Sequence, residues 1–167
     1  LFRSERFFGH GDKSMLFIKI DRGIGAATLI DDVTVIGQNH AGGEIGHISL
    51  DPESGVLCPC GKRGCLETMV TSPVIRERIR RASTPEEQLD IIRSCGEQLA
   101  AALAMPIGLL DINDICVYGP PDIVNAAFLE ATQRRVDMVS SSKFHKHTSV
   151  RRCQVGSDIA LRGSAID

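Results

Sequence analysis

From Met15 onward the chain alternates short apolar runs with turn-forming residues. MLFIKI (15–20) is an apolar run broken by one lysine, DRGIG (21–25) supplies a glycine turn, and AATLI (26–30) resumes the apolar pattern. Asp31-Asp32 then suits a hairpin turn before VTVIG (33–37), so residues 15–38 predict β-structure. AGGEIGH (41–47) reads as a glycine-rich loop. The stretch after it, up to Leu66, is a long irregular excursion that needs something other than an apolar core to hold it.

Helical spacing takes over at Ser72. Ser72 can cap, Pro73 suits the first helical position, and Ile75 and Ile79 lie one turn apart. Thr84-Pro85-Glu86-Glu87 marks a second start, with a capping threonine, proline in the first turn and glutamate three residues after the cap. Ile92, Cys95, Leu99, Leu103, Ile107 and Leu110 then form one stripe of a long amphipathic helix, in which Pro106 predicts a kink near the end. DICVYG (114–119) predicts a buried strand ended by Pro120-Pro121, and Asp122 is placed to cap a helix carrying Ile123, Ala127 and Phe128. After a polar loop at 140–149, VRRCQV (150–155) is strand-like and SDIALRGSAI (157–166) opens a last helix. The order of hairpin, loop, helices, strand, helix, strand, helix predicts an α/β domain with βαβ-type units in its later half.

Composition narrows the partners. The 167 residues, 43% of them hydrophobic, suffice for one globular domain with a real core. A formal charge of −2 argues against broad electrostatic attraction to nucleic acid or anionic membrane. The short basic runs RERIRR (76–81) and Arg151-Arg152 read as solvated faces. No apolar run approaches the ~18–20 residues of a membrane span and no signal peptide is visible, so a soluble cytoplasmic protein is expected. The chain begins with Leu1, and LFRSERFFGHGDKS does not read as a natural start, so a fragment of a longer protein is also expected.

The cysteines fall into two groups. Cys95, Cys116 and Cys153 stand singly among apolar neighbours and read as small buried hydrophobes in a reducing compartment. Cys58, Cys60 and Cys65 cluster in HISLDPESGVLCPCGKRGCLE (47–67). A disulfide framework suits them poorly, because cysteines one residue apart rarely reach bridging geometry and an odd cluster leaves one thiol over. One imidazole, His47, and three thiolates match tetrahedral zinc in a closed structural site. Gly55, Gly61 and Gly64 let the backbone turn tightly there, and Lys62 and Arg63 offset thiolate charge. The competing reading is a reactive or merely buried cysteine cluster.

The motifs E-x-x-H (Glu44 to His47) and C-x-C-G-x-x-G-C-L-E (Cys58 to Glu67) resemble the signature of the ROK family of repressors, open reading frames and kinases. KIDRGIGAATLIDD resembles that family's second phosphate hairpin, LLDINDICVYGPP the segment leading to its nucleotide loop, and SDIALRGSAI its C-terminal helix. The resemblance implies an α/β, actin-like ATPase (ribonuclease H-like) fold of two lobes with a sugar bound between them. Residues 1–167 would be mainly the C-terminal lobe, with a zinc-binding insertion at 44–67. It implies a structural zinc ion (Zn2+) on His47, Cys58, Cys60 and Cys65, and sugar hydroxyls bound by Glu44, His47 and Glu67. The carboxylates would accept hydrogen bonds from vicinal hydroxyls, and zinc would orient the histidine. Plainer readings are a solvated loop carboxylate for Glu44 and a helix-start residue for Glu67.

Kinase members need an Asn-Asp pair upstream of the hairpin. The positions before Leu16 hold none, and Asn113-Asp114 lies in the wrong segment. Where kinases have G-T-G, this chain has Asp21-Arg22-Gly23-Ile24-Gly25, and the later loop reads Gly119-Pro120-Pro121, which removes two N–H donors. Gly23, Gly25 and Gly119 thus remain from degenerate phosphate loops. The expected function is the effector-binding part of a ROK transcriptional regulator of the NagC/XylR type, with no catalytic residue. The alternative is an ATP-dependent sugar kinase. The expected partners are a sugar or sugar phosphate, operator DNA through an N-terminal helix-turn-helix outside this chain, and a second copy in a homodimer or higher oligomer.

Overall fold

The computed structural model describes residues 1–140 and 146–155. The strands are β1 (Met15–Ile20), β2 (Ile24–Ile30), β3 (Val33–Val35), β4 (Asp114–Tyr118) and β5 (Ser149–Arg152). They form one mixed sheet in the order β3-β2-β1-β4-β5. The hairpin pairs β1–β2 and β2–β3 are antiparallel, whereas β4 runs parallel to both β1 and β5. Asp31 and Asp32 both adopt positive φ, 49° and 66°, which is what a two-residue turn between right-twisted strands demands. β3 is short and exposed, with Val33 and Val35 facing solvent at the sheet edge.

The helices are α1 (Phe2–Phe8), α2 (Glu67–Val70), α3 (Ser72–Arg81), α4 (Pro85–Leu110) and α5 (Ala126–Ser140), with a 3-10 turn at Ile45–His47. Strand alternation sorts the core into two faces. Leu16, Ile18 and Ile20 of β1 pack with Ile92, Leu99, Leu103 and Ile107 of α4 and Phe128 of α5. Met15 and Phe17 point the other way, into a cluster with Leu29, Cys116, Cys153 and Val155 that Leu1 and Phe2 flank. β1 is therefore buried on both faces, which explains its near-continuous apolar sequence. Gly96 lets α4 and α5 approach closely, since a Cβ there would sit 2.4 Å from the Phe128 carbonyl oxygen.

Several local expectations need correction. α1 lies in the opening stretch where the sequence suggested no element, and its Glu5 is fully buried. Thr71, not Ser72, occupies the cap position of α3, and the buried Ser72 hydroxyl has no hydrogen-bond partner among the described residues. The α4 cap is Thr84, whose Oγ1 accepts from Glu87 N at 3.1 Å, but Glu87 Oε2 reaches back to Ser83 N rather than to Thr84 N. Leu110, the last residue of α4, is exposed rather than part of the buried stripe. Asn125, not Asp122, caps α5, accepting from Phe128 N at 3.2 Å. Asp122 instead forms a two-pronged ion pair with Arg76, at 2.9 and 3.1 Å.

Arg151 and Arg152 do not form a solvated face. Arg151 donates to Glu5 and, at 2.7 and 2.9 Å, to Asp114, while Arg152 donates to the carbonyls of Val124 and Gly119. The helix expected at 157–166 lies outside the described residues. Among the described residues no helix is long and apolar enough to cross a membrane.

Candidate functional site

The excursion between the hairpin and the helices is pinned before any metal is considered. Ile45 and Leu66 are buried at its two ends, and Ile48 and Leu50 pack against the same core. The notion of a loop lacking apolar support is therefore too strong. Antiparallel bridges join Ser49 to Cys65 and Leu57 to Arg63, and Leu50 N and Leu66 N donate to Gly64 O and Ile48 O. Gly64 has φ +63°, and a Cβ there would lie 2.1 Å from the Asp51 carbonyl oxygen, so only glycine fits. Gly61, at φ +91°, closes the tight turn in which Gly61 N donates to Cys58 O.

This folding gathers the predicted ligands. One ligand atom from each of His47, Cys58, Cys60 and Cys65 lies within 4.8 Å of all the others, a set that could hold a metal ion. Cys60 Sγ is 3.6 Å from Cys65 Sγ, and Cys58 Sγ is 3.6 Å from His47 Nδ1. Cys58 and Cys65 are buried while Cys60 is exposed. The Cys60 backbone N–H favours the Cys58 thiolate, but burial and hydrogen bonds to Cys60 and Glu67 outweigh it and push that thiol up to about 12. Burial also raises Cys65, whereas the Lys62 backbone N–H and the neighbouring thiols lower Cys60 to about 7. One thiolate therefore forms readily, and the buried pair needs a cation to ionise, which suits a soft dication. Lys62 and Arg63 also tie the loop, donating to His47 O at 2.6 Å and to Gly55 O at 3.2 Å.

Glu67 begins α2 directly beside this cluster. Its Oε1 lies 3.3 Å from Cys58 Sγ and 3.4 Å from His47 Nδ1. Its Oε2 faces the backbone of the β1–β2 turn, 4.0 Å from where a Cβ on Gly23 would stand and 3.4 Å from one on Gly46. Glu67 and His47 are thus brought together, each partly open to solvent. Glu44 is exposed at the start of the 3-10 turn, and its carbonyl accepts from His47 N at 3.2 Å. Among the described residues its carboxylate makes no hydrogen bond or ion pair to Glu67 or His47, so Glu44 shares a turn with His47 without joining the cluster.

The predicted loop glycines meet at one end of the sheet, where parallel strands end and ligands of open α/β sheets bind. Gly23 lies in the turn after β1, Gly25 stands at the start of β2 with open space beside it, and Gly119 follows β4. A Cβ on Gly119 would sit 2.6 Å from Val124 and 3.0 Å from Ile20 O, so the strand ends are in close contact. Ser72 N donates to Asp21 O, and the Arg76–Asp122 pair ties α3 to the segment after Pro121. Beside Gly119 lies a cavity of about 350 Å3 lined by Val117, Tyr118, Arg152 and Cys153 among others.

The inward network of Glu5, Asp114 and Arg151 escaped the sequence reading, because charged residues read as exposed until their partners are known. So did the meeting of Cys116 with Cys153, which are single in the sequence and neighbours in space.

The class of protein is set by a mixed sheet flanked by helices, with a Cys3His cluster and a carboxylate beside its first hairpin. Residues 3–166 match the model of the ROK family, and the chain belongs to that family. It is 24% identical to the DNA-binding transcriptional dual regulator NagC of Escherichia coli, an alignment covering 98% of this chain and 46% of NagC. Over a shorter span, 64 residues, it is 44% identical to a glucokinase of Halalkalibacterium halodurans, covering 38% of this chain and 19% of that protein. The chain thus spans less than half the length of these relatives.

Two crystal structures share its fold, each with a TM-score of 0.82 and 23% identity. One is a ROK family transcriptional regulator homologous to E. coli MLC, of which 48% is covered by 97% of this chain. The other is a ROK family glucokinase from Streptomyces griseus in complex with glucose and AMPPNP, of which 63% is covered by 98% of this chain. The fold is the actin-like ATPase fold, and the family includes both regulators and sugar kinases.

Proposed function

We propose that this chain is the effector-binding part of a ROK transcriptional regulator and recognises a sugar or sugar phosphate through Glu67 and His47, with Glu44 at the rim. His47, Cys58, Cys60 and Cys65 would hold a zinc ion, which supplies a cross-link for the loop. The protein's own residues do the recognition. Glu67 accepts from sugar hydroxyls with charge-assisted strength, and His47 is oriented by its place in the cluster.

The observation that supports a sensor over a phosphotransferase is the closure of the nucleotide-side segment. Arg152 donates to Gly119 O and Val124 O, across a stretch that Pro120-Pro121 already stiffens and strips of N–H donors. On the facing turn Asp21 and Arg22 occupy positions where a phosphate cradle needs small residues with free amides. Sugar binding would bias how this domain closes against the rest of the protein, and that closure would alter the spacing of DNA-binding domains in a dimer. A cytoplasmic location goes with this role.

The kinase reading is favoured by the 44% identity to a glucokinase over 64 residues. One experiment separates the two. The full-length gene product is titrated onto DNA from its own promoter with and without hexoses, N-acetylhexosamines and their 6-phosphates, and ATP turnover is followed on the same sugars. Sugar-dependent DNA affinity without ATP turnover supports the sensor. Turnover of ATP, or DNA affinity indifferent to every sugar, overturns it.

A further inference from the structure

Cys116 and Cys153 lie on the sheet face that α1 flanks, away from the metal cluster. Their sulfurs and a Glu5 carboxylate oxygen lie within 4.8 Å of one another, all three residues buried. Cys153 Sγ donates to Glu5 Oε2 at 2.9 Å, and the same oxygen accepts from Gln154 N at 3.0 Å and Val155 N at 3.1 Å. Glu5 Oε1 accepts from Arg151, which also holds Asp114. A cation has little place here. Arg151 already neutralises the carboxylate, and the three donors on Oε2 leave it poorly disposed to bind a metal. The reactive feature that remains is the thiol pair.

We propose that Cys116 and Cys153 are a redox-convertible pair whose oxidation to a disulfide by a hydroperoxide loosens α1. Cys153 is 8% exposed and lines the cavity of about 350 Å3 beside Gly119, which admits hydrogen peroxide. Cys116 is fully buried, and its hydrogen bond to Cys153 together with burial holds its thiol protonated, so Cys153 is the attacking group. Its sulfur attacks one peroxide oxygen while Glu5 Oε2 takes the thiol proton. The O–O bond breaks, and the departing hydroxide takes that proton from Glu5 and leaves as water, with a sulfenic acid left on Cys153. Cys116 sulfur then attacks the sulfenic sulfur. The S–S bond forms, the S–O bond breaks, and the hydroxide leaves with the Cys116 proton as a second water. Two thiols lose two electrons, and one peroxide becomes two waters.

The disulfide removes the S–H donor from Glu5 and draws Cys153 towards β4. Glu5 is the buried anchor through which α1 is tied to the segment after β5, so weakening its partners releases the helix. This inference does not depend on the sugar reading.

The test uses the reduced full chain treated with hydrogen peroxide, alkylated and digested without reduction. Mass spectrometry is expected to find the Cys116 and Cys153 peptides joined and separable by dithiothreitol, with the singly buried Cys95 unmodified as an internal control. Hydrogen exchange is expected to run about tenfold faster over residues 2–8 after oxidation. Peroxide treatment of C153S, which lacks the attacking thiol, is expected to leave that exchange unchanged, which separates this pair from oxidation of the clustered cysteines. The mapping on the unsubstituted chain decides the matter even if C153S does not fold. Absence of the cross-link, or a cross-link with unchanged exchange over residues 2–8, overturns the proposal.

Discussion

Glu67 Oε1 stands 3.3 Å from the sulfur of Cys58, so the carboxylate that opens α2 is a direct neighbour of the cysteine cluster. The second oxygen of the same side chain lies 4.0 Å from where a Cβ on Gly23 would stand. The proposed loop cross-link and the proposed ligand contact are therefore adjacent but chemically separable. A substitution at Glu67 should change one and spare the other.

Glu67→Gln keeps the shape and removes the charge. A hydrogen bond to a charged group is worth ~1.5–3 kcal/mol, so sugar affinity should fall roughly 10- to 100-fold. Isothermal titration on the full-length protein, with metal content measured in parallel, checks this. Lost affinity with retained metal is the expected result.

Metal content should follow the four clustered side chains alone. Native mass spectrometry is expected to find one zinc ion per chain, lost in Cys65→Ser and retained in Cys95→Ser. Chelation should open residues 51–64 to proteolysis while α4 stays protected, because Ile45 and Leu66 still pin the ends of the loop on the core.

Two glycines of α4 should respond with opposite sign. A Cβ on Gly96 meets the Phe128 carbonyl at 2.4 Å, so Gly96→Ala should destabilise by roughly 1–3 kcal/mol as α4 and α5 are forced apart. Among the described residues nothing lies within 4 Å of a would-be Cβ on Gly108, and Gly108→Ala should stabilise by about 0.5–1 kcal/mol through helix propensity. Urea unfolding of both variants measures the contrast.

The hydrogen bond from Arg76 holds the Asp122 carboxyl below the usual carboxylate range. A depressed folded-state pKa means the stabilisation is fully present above the unfolded value, about 4, and is lost as pH falls through the folded value. Asp122→Asn should therefore be slightly less stable than the parent at pH 7, with the gap closing below about pH 4. Thermal unfolding across that range tests the sign, and a gap that widens on acidification would contradict it.

Much of this was legible in the chain itself, for physical reasons. β1, β2 and β4 follow from apolar runs between turn residues, and α4 from a stripe of three- and four-residue steps started by Thr84. The gathering of His47, Cys58, Cys60 and Cys65 was legible because soft ligands at short spacing with intervening glycines have few other uses. What one dimension cannot carry is the pairing of distant groups. Arg151 read as solvent-facing and Glu5 carried no signal, since a lone charge is costly to bury, and only the parallel placement of β4 and β5 beneath α1 supplies the partners that make burial affordable. Cys116 and Cys153 became neighbours because Cys153 follows two residues after Arg151, the register partner of Cys116. Asp122 looked like a helix cap because caps are local, yet Arg76 from another helix claimed it and left the cap to Asn125. Local propensity and composition are properties of neighbours along the chain, whereas charge pairing, thiol pairing and the meeting of Glu67 with Gly23 are set by which strands and loops the fold lays side by side.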